Sequence, residues 1–447
     1  MTQTSHDTFA AFVGIDWADA KHDGCLQATG STKRECFQLE HTPEAIDAWV
    51  TTLRTRFHGH PVALCLELTK GPLVSALRKY DFLVLFPINP LTLARYREAF
   101  TPSRAKDDPT DAELQLELLL THRDKLQPLQ PQSPTMRALA QLVEHRRRVV
   151  GEKVRVTNRL TSALKNYFPP VLQWFQDKDT RIFCDFLSRW PTLKAAQLAR
   201  RSTLETFFRD HHVRTADVLA TRLHAIKTAT PLTTDEGGIA PHVLLVQTLV
   251  SQLRVTLDAI EAFDQAIAQR AQHHPDFPLF QALPGAGPVF ASRLLVAFGE
   301  QRERYASAAA LQKYAGIAPV TERSGKKAWV HWRLQCPKFL RQTFVEWTAE
   351  SIRHSFWAQV YYQQQRDKGN THQAAVRALA FKWIRILYRC WQERTPYDES
   401  TYLQALMRRN SSLIPNRVDI TPSGRTMPLD RHIPSCSHDS LGIPPWA

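Results

Sequence analysis

The sequence is poor in glycine, in acid and in long apolar runs, and its cysteines are not paired by spacing. Only 16 glycines occur in 447 residues. An actin-like sugar kinase, which can also begin with a strand and "GID", needs further glycine-rich loops for phosphate and adenosine. No second matching loop follows "VGID" here, and that class is set aside. The seven cysteines (Cys25, Cys36, Cys65, Cys184, Cys336, Cys390 and Cys436) form no Cys-x-x-Cys pair. This argues against a zinc ribbon and fits a reducing cytoplasm. No apolar run approaches the ~20 residues needed to span a bilayer. "MTQTSHDTFAAF" lacks the basic start and long apolar core of a signal peptide, so a cytoplasmic protein without a membrane partner is expected. Acids number 43 against 57 Lys and Arg, a formal net charge of +14. Such an excess favours a polyanionic partner, because each cation placed on a phosphate releases counterions.

What is present falls into blocks. Residues 8–127 read as α/β. "AAFVGID" is a strand, with "GCLQATG" and "ECFQLEH" following as a hairpin. "TPEAIDAWVTTLRTRF" has helical spacing, with Thr42 as N-cap and Pro43 at the first helical position. "PVALCLEL" and "FLVLFPIN" are buried strands, each followed by a helix. Residues 134–272 read as two long helices around a helical insertion at about 168–240. Val246, Val250, Leu253, Leu257, Ile260 and Ile267 make a coiled-coil-like seam on the second. Residues 276–400 are mostly helical, and 410–447, rich in Pro and Ser, read as a flexible tail. The fold class is therefore α/β plus all-α.

Four constellations carry chemistry. The first is acidic. Asp16 ends the first strand and Glu67 a later one; parallel neighbours would put both at one sheet edge. Asp108 and Asp111, three apart on a helix, share a face. Four hard oxygen donors suit Mg²⁺ or Mn²⁺, and two such ions clamp the oxygens of a phosphodiester displacement. Asp108 before Pro109 also makes a good helix cap, and Asp111 suits the helix dipole. Asp19 and Asp23 are expected in the turn beyond the strand. The second is "ALPGAGPVFASRLLVAFG". Gly285 and Gly287 form a tight turn into a helix whose free N–H groups suit an anion, as in a helix-hairpin-helix; a plain αα-hairpin reads the same way. The third is "TERSGKKAW", where Ser324 sits among Arg323, Lys326 and Lys327. A serine attacking a phosphodiester wants such cations, though Ser-Gly in a basic loop is also an ordinary turn. The fourth is basic. Arg146, Arg147, Arg148, Lys153 and Arg155 in "HRRRVVGEKVR", and the cations and aromatics of "FKWIRILYRCWQER", suit phosphates and unpaired bases. A solvated helix face is the plainer alternative.

"VGIDWADAKHD", "LCLELTKGPL", "AKDDPTDA" and "LPGAGPVFASRLLVAFGE…RYASAAALQKYAGIAPVTERSGKK" occur in that order. Together they resemble the DEDD-type insertion-sequence transposases of the IS-one-ten and IS-eleven-eleven class, described as bridge-RNA-guided serine recombinases. The stretch "WRLQCPKFLRQTF" keeps Lys338, Leu340 and Arg341 but lacks that family's glycines and asparagine. The resemblance implies an RNase H-like (RuvC-type) N-terminal domain and a C-terminal serine transposase domain. It places the four acids on Asp16, Glu67, Asp108 and Asp111, and the nucleophile on Ser324. It further implies a phosphoserine intermediate assisted by Mg²⁺, donor and target double-stranded DNA, a structured guide RNA, and a homodimer or homotetramer held partly by the coiled coil. Two alternatives keep the acids without needing Ser324. One is a RuvC-like metal-dependent junction endonuclease; the other is an inactive nucleic-acid-binding relative.

Overall fold

A computed structural model describes residues 9–67, 70–100, 108–130, 132–325, 327–411 and 413, without the side chains of 100, 108 and 109. The chain divides into two compact units, 1–131 and 132–447.

The first unit is a five-stranded sheet with helices on both faces. Its elements are β1 (Ala11–Asp16), β2 (Lys21–Ala28), β3 (Arg34–Glu40), α1 (Pro43–Arg56), β4 (Val62–Leu66), α2 (Pro72–Leu77), β5 (Leu83–Pro87), α3 (Pro90–Phe100) and α4 (Asp108–His122). The strand order is β3-β2-β1-β4-β5. β1–β2–β3 is an antiparallel meander, whereas β1, β4 and β5 run parallel. α1 starts where the sequence signals it: the Thr42 hydroxyl accepts from Ala45 N–H and Pro43 follows. Alternation sorts the strands into two cores. Val13, Ile15, Leu64 and Leu66 pack under α1 and α2. Ala63, Cys65 and Cys25 face α4, meeting Leu114, Leu118, Ala112 and Leu116. Gly14 is required there: a Cβ on it would lie 2.1 Å from the Ala112 carbonyl oxygen. α4 therefore crosses β1 at backbone contact.

The second unit begins with α5 (Pro134–Lys165). Five shorter helices follow: α6 (Val171–Trp174), α7 (Arg181–Arg189), α8 (Leu193–Leu198), α9 (Arg201–Asp210) and α10 (Ala216–Thr228). Then come α11 (Glu236–Ala271), α12 (Phe277–Gln281), α13 (Gly287–Phe298) and α14 (Ala308–Tyr314). A hairpin of β6 (Val320–Ser324) and β7 (Lys327–His331) precedes α15 (Lys338–Ser351), α16 (Phe356–Asp367), α17 (His372–Glu393) and α18 (Glu399–Arg408). α5 and α11 are antiparallel partners. One end of the pair packs with the C-terminal helices through Met136, Leu139, Val143, Ile267 and Ala271. The other end packs with the insertion, where Val156, Leu160, Val246, Val250 and Leu253 meet Phe183, Phe186 and Phe208.

Val246, Val250 and Leu253 of the α11 seam are buried against α5 and the insertion, and Ile267 against the C-terminal helices. By length and composition alone α11 is apolar enough to cross a membrane, as the core helix of a protein can also be. The scattered polar residues hide this from a search for unbroken apolar runs. The expected tail lies outside the described residues, apart from its first few.

Candidate active site

Asp16 and Glu67 occupy equivalent ends of neighbouring parallel strands. The register pairs Ile15 with Leu66, and each acid lies one step beyond. Asp16 continues the Phe12–Gly14 face and Glu67 the Ala63–Cys65 face, which is the side α4 covers. Adjacent strands run about 4.8 Å apart, so the two carboxylates leave the sheet from neighbouring positions. The Cys65 thiol is pushed up to about 12, by burial first and then by the Glu67 carboxylate.

Asp23 joins them, which corrects its expected place in the turn. The connection is only Trp17–Ala20, β2 starts at Lys21, and Asp23 pairs directly with Asp16. Cross-strand partners share a face, so a third carboxylate stands beside the strand-end pair. Gln38 Nε2 donates to Asp23 Oδ1 at 3.1 Å. Next to it, His22 is buried. Its Nδ1 accepts from Ala18 N–H at 3.2 Å, so its Nε2 donates to His41 Nδ1 at 2.9 Å. Burial, and then His41, hold His22 below the usual histidine range, against the pull of Asp23. This pair fastens the turn that follows Asp16.

Asp108 opens α4; its side chain lies outside the described set. Asp111, one turn on, is 3% exposed and bonds Arg97 of α3: Arg97 Nε donates to Oδ1 at 2.8 Å, and Nη2 reaches the same oxygen. Oδ2 lies outside that pair. One further turn along, Gln115 is fully buried with neither amide atom hydrogen-bonded. Hard carboxylate oxygens above an orphaned carboxamide are a donor set that fits a hydrated divalent cation.

Ser324 lies in the second unit, at the tip of the β6–β7 hairpin. It pairs with Lys327 across a two-residue turn in which Gly325 takes φ +57°. Lys326 is outside the described residues. Glu322, Lys327, Trp329 and His331 share the Ser324 face, and Arg323 lies on the other. His331 Nε2 meets Glu322 at 3.2 Å, yet it sits four residues along from the Ser324 pair, about 13 Å away at strand rise. It is no base for this serine from here. At the foot of the hairpin, Arg377 stacks on Trp332, and burial and then Arg341 lower its guanidinium to about 10. The sequence reading missed this cation, because 45 residues separate it from Trp332.

The other predicted contacts divide. Gly285 (φ +69°) is held by packing: a Cβ would lie 2.7 Å from the His354 ring, and Trp347 Nε1 donates to the Pro284 carbonyl. Gly287 (φ +51°) opens α13 with nothing within 4 Å of a built Cβ. Arg146 forms a two-pronged pair with Asp264 of α11. Arg147 bonds Glu144, and Lys153 meets Asp179 at 2.6 Å. Arg146 thus ties α5 to α11 and Lys153 ties it to the insertion, while Arg147 pairs within α5 and reaches Gln342 of α15 at 3.4 Å. Arg148 and Arg155, 63% and 64% exposed, remain outward beside local acids. The aromatics expected to interleave with cations on α17 are core instead: Trp383 and Trp391 are fully buried.

A family model described as "Transposase" matches residues 13–169, and one described as "Transposase IS116/IS110/IS902 family" matches 278–363. The mini-circle putative transposase for IS117 of Streptomyces coelicolor is 30% identical over 414 residues, covering 90% of this chain and 99% of that protein. The insertion element IS110 uncharacterized 43.6 kDa protein of the same organism is 24% identical over 87% of this chain and 95% of its own. The insertion element IS900 uncharacterized 42 kDa protein of Mycobacterium paratuberculosis is 26% identical over 69% and 70%. With both matched segments in order and a relative covered end to end, this chain belongs to the IS116/IS110/IS902 family of insertion-element transposases.

Proposed function

We propose that this transposase cuts and rejoins DNA through Ser324, assisted by a metal site of Asp16, Glu67, Asp108 and Asp111. One observation carries the reading. Asp16 and Glu67 end in-register strands on the face covered by α4, and α4 is the helix that bears Asp108 and Asp111. In the first step Ser324 Oγ attacks a DNA phosphorus. The new O–P bond forms as the bond to the sugar oxygen breaks, and the serine's proton passes through solvent to that leaving oxygen. In the second step a hydroxyl of another strand attacks the phosphoserine and returns the serine. Lys327, across from Ser324, and Arg323 offset charge on the transferring phosphoryl group. Bound Mg²⁺ would supply Lewis-acid stabilisation of the same charge. The acids would hold it, with Gln38 bonded to the neighbouring Asp23 and Arg97 fixing the buried Asp111.

On this reading donor and target double-stranded DNA are the substrates, and a structured RNA selects them by base pairing. Protein contacts then need only follow phosphates, as the exposed Arg148, Arg155 and the hairpin cations do. The working form is a dimer or tetramer, acting in the cytoplasm. The test supplies purified protein with the element-derived RNA, both DNA partners and Mg²⁺. A DNA–protein adduct is sought on a denaturing gel. The adduct disappears in Ser324→Ala and falls strongly in Asp16→Asn. Efficient cleavage without adduct assigns the chemistry to water and makes the chain a RuvC-like endonuclease; activity without RNA removes the guided step.

A further inference from the structure

We infer that Cys25, Cys36 and Glu113 form a binding site for a thiophilic divalent cation such as Zn²⁺, with three protein ligands and one position left to solvent. Three elements converge to make it. Cys25 on β2 and Cys36 on β3 are direct cross-strand partners, so their side chains rise on the same face. That face is the one under α4, which supplies Glu113. The two sulfurs are 3.3 Å apart, Cys36 Sγ is 3.5 Å from Glu113 Oε1, and all three ligand atoms lie within 4.8 Å of one another. A tetrahedral zinc with Zn–S near 2.3 Å and Zn–O near 2.0 Å requires S···S of about 3.8 Å and S···O of about 3.5 Å. The Cys36–Glu113 separation already matches that geometry, the two sulfurs need to part by about 0.5 Å, and Cys25 and Glu113 lie within 4.8 Å of each other.

The donor chemistry decides which ion. Two sulfurs and one carboxylate favour zinc-like cations over Mg²⁺, whereas the oxygen-only edge at Asp16, Asp23 and Glu67 has the opposite preference. The two sites therefore share a sheet face without competing for one metal. Binding releases two thiol protons to solvent and leaves an overall charge of −1 on the site. Arg34, close enough to act on Cys25, offsets part of it. Cys36 is exposed and, with Asp23 and Gln38, borders a surface depression through which a cation and its water enter. An ion here would tie the β2–β3 edge to α4 two residues from Asp111. The absence of Cys-x-x-Cys does not disqualify the pair, because the sheet, not the local sequence, brings positions 25 and 36 together.

The test uses the full chain, stripped with a chelator and kept reduced, then titrated with Co²⁺. Tetrahedral thiolate coordination shows as a sulfur-to-cobalt charge-transfer band with intense visible absorption, bleached by one equivalent of Zn²⁺. Cys36→Ser, at an exposed position, removes the band. Glu113→Gln keeps it but weakens affinity about tenfold or more. Cys184→Ser and Asp16→Asn leave it intact. The inference is overturned if the reduced wild type gives no band, or if Cys36→Ser retains it. It is equally overturned if mass spectrometry finds a Cys25–Cys36 disulfide and the reduced protein takes no metal.

Discussion

The acidic edge of the first unit and the serine hairpin of the second are built on opposite principles. Asp16, Glu67 and Asp111 stand where a buried sheet meets a helix packed at backbone contact, with Gly14 admitting the helix and Arg97 holding the deepest acid. Ser324 stands on a two-stranded hairpin in which all but Val320 are exposed, including Trp329 and Val330. An isolated hairpin is marginal in water. One region fixes its geometry by burial; the other has little packing of its own to do so.

Substitutions of glycine expose this contrast most sharply. Gly14→Val drives side-chain atoms into the Ala112 and Leu116 backbone and costs at least about 4 kcal/mol. Circular dichroism melts then show the first unit unfolded at room temperature. Gly325→Ala, with open space around it and a positive φ, costs about 1 kcal/mol, confined to the hairpin, and leaves the global melting temperature unchanged. Equal melting temperatures for the two variants would erase the distinction. Next in size is Arg97→Ala, which strands the buried Asp111 charge and destabilises the first unit by about 3 kcal/mol in urea titrations. Asp111→Asn placed on Arg97→Ala recovers part of this loss if the stranded charge is its cause.

A smaller effect follows from His22. Its folded pKa is depressed, while the unfolded chain takes up the proton near pH 6.5. The unfolded state then binds more protons, so stability is complete above about pH 6.5 and falls as the pH drops below it. Comparing urea midpoints at pH 7.5 and 5.5 detects this loss, and His22→Leu flattens the slope. Smallest is Trp329→Ser on the hairpin, within about 0.5 kcal/mol of wild type. On the proposed reading it nonetheless weakens DNA binding in gel-shift assays, because an exposed ring with no core to serve is free to stack on a base.

Much of the first unit was legible because its signals are local. Strand alternation, the Thr42–Pro43 cap and the acids closing β1 and β4 need no knowledge of distant residues. Asp23 was not, because the short Trp17–Ala20 turn gives no glycine or proline signal and returns the chain sooner than the sequence suggests. The hairpin carrying Ser324 hid behind its charges: "VTERSGKKAWVH" reads as a basic loop until its two strands are paired around Gly325. Two of the α5 cations are taken up by partners the sequence does not signal. Asp264 and Asp179 are remote in sequence, and only the antiparallel pairing of α5 with α11 and the docking of the insertion bring them to Arg146 and Lys153. Likewise, the aromatics of α17 are interleaved with cations in sequence, but the helix turns its tryptophans inward.

The α5–α11 pair has a metrical consequence. Its two apolar ends belong to different cores, and in the waist between them Arg146 of α5 pairs with Asp264 of α11, while Arg181 of α7 pairs with Asp258 and Glu261 of α11. At 1.5 Å per residue the 32 residues of α5 extend about 48 Å. The pair is a gauge rod: its residue count sets how far the aromatic insertion stands from the helices that carry the hairpin. Removing one heptad from each helix within the waist would shorten that span by about 10 Å while leaving both cores their own side chains. Within this unit, spacing is thus a quantity the sequence can change separately from either end.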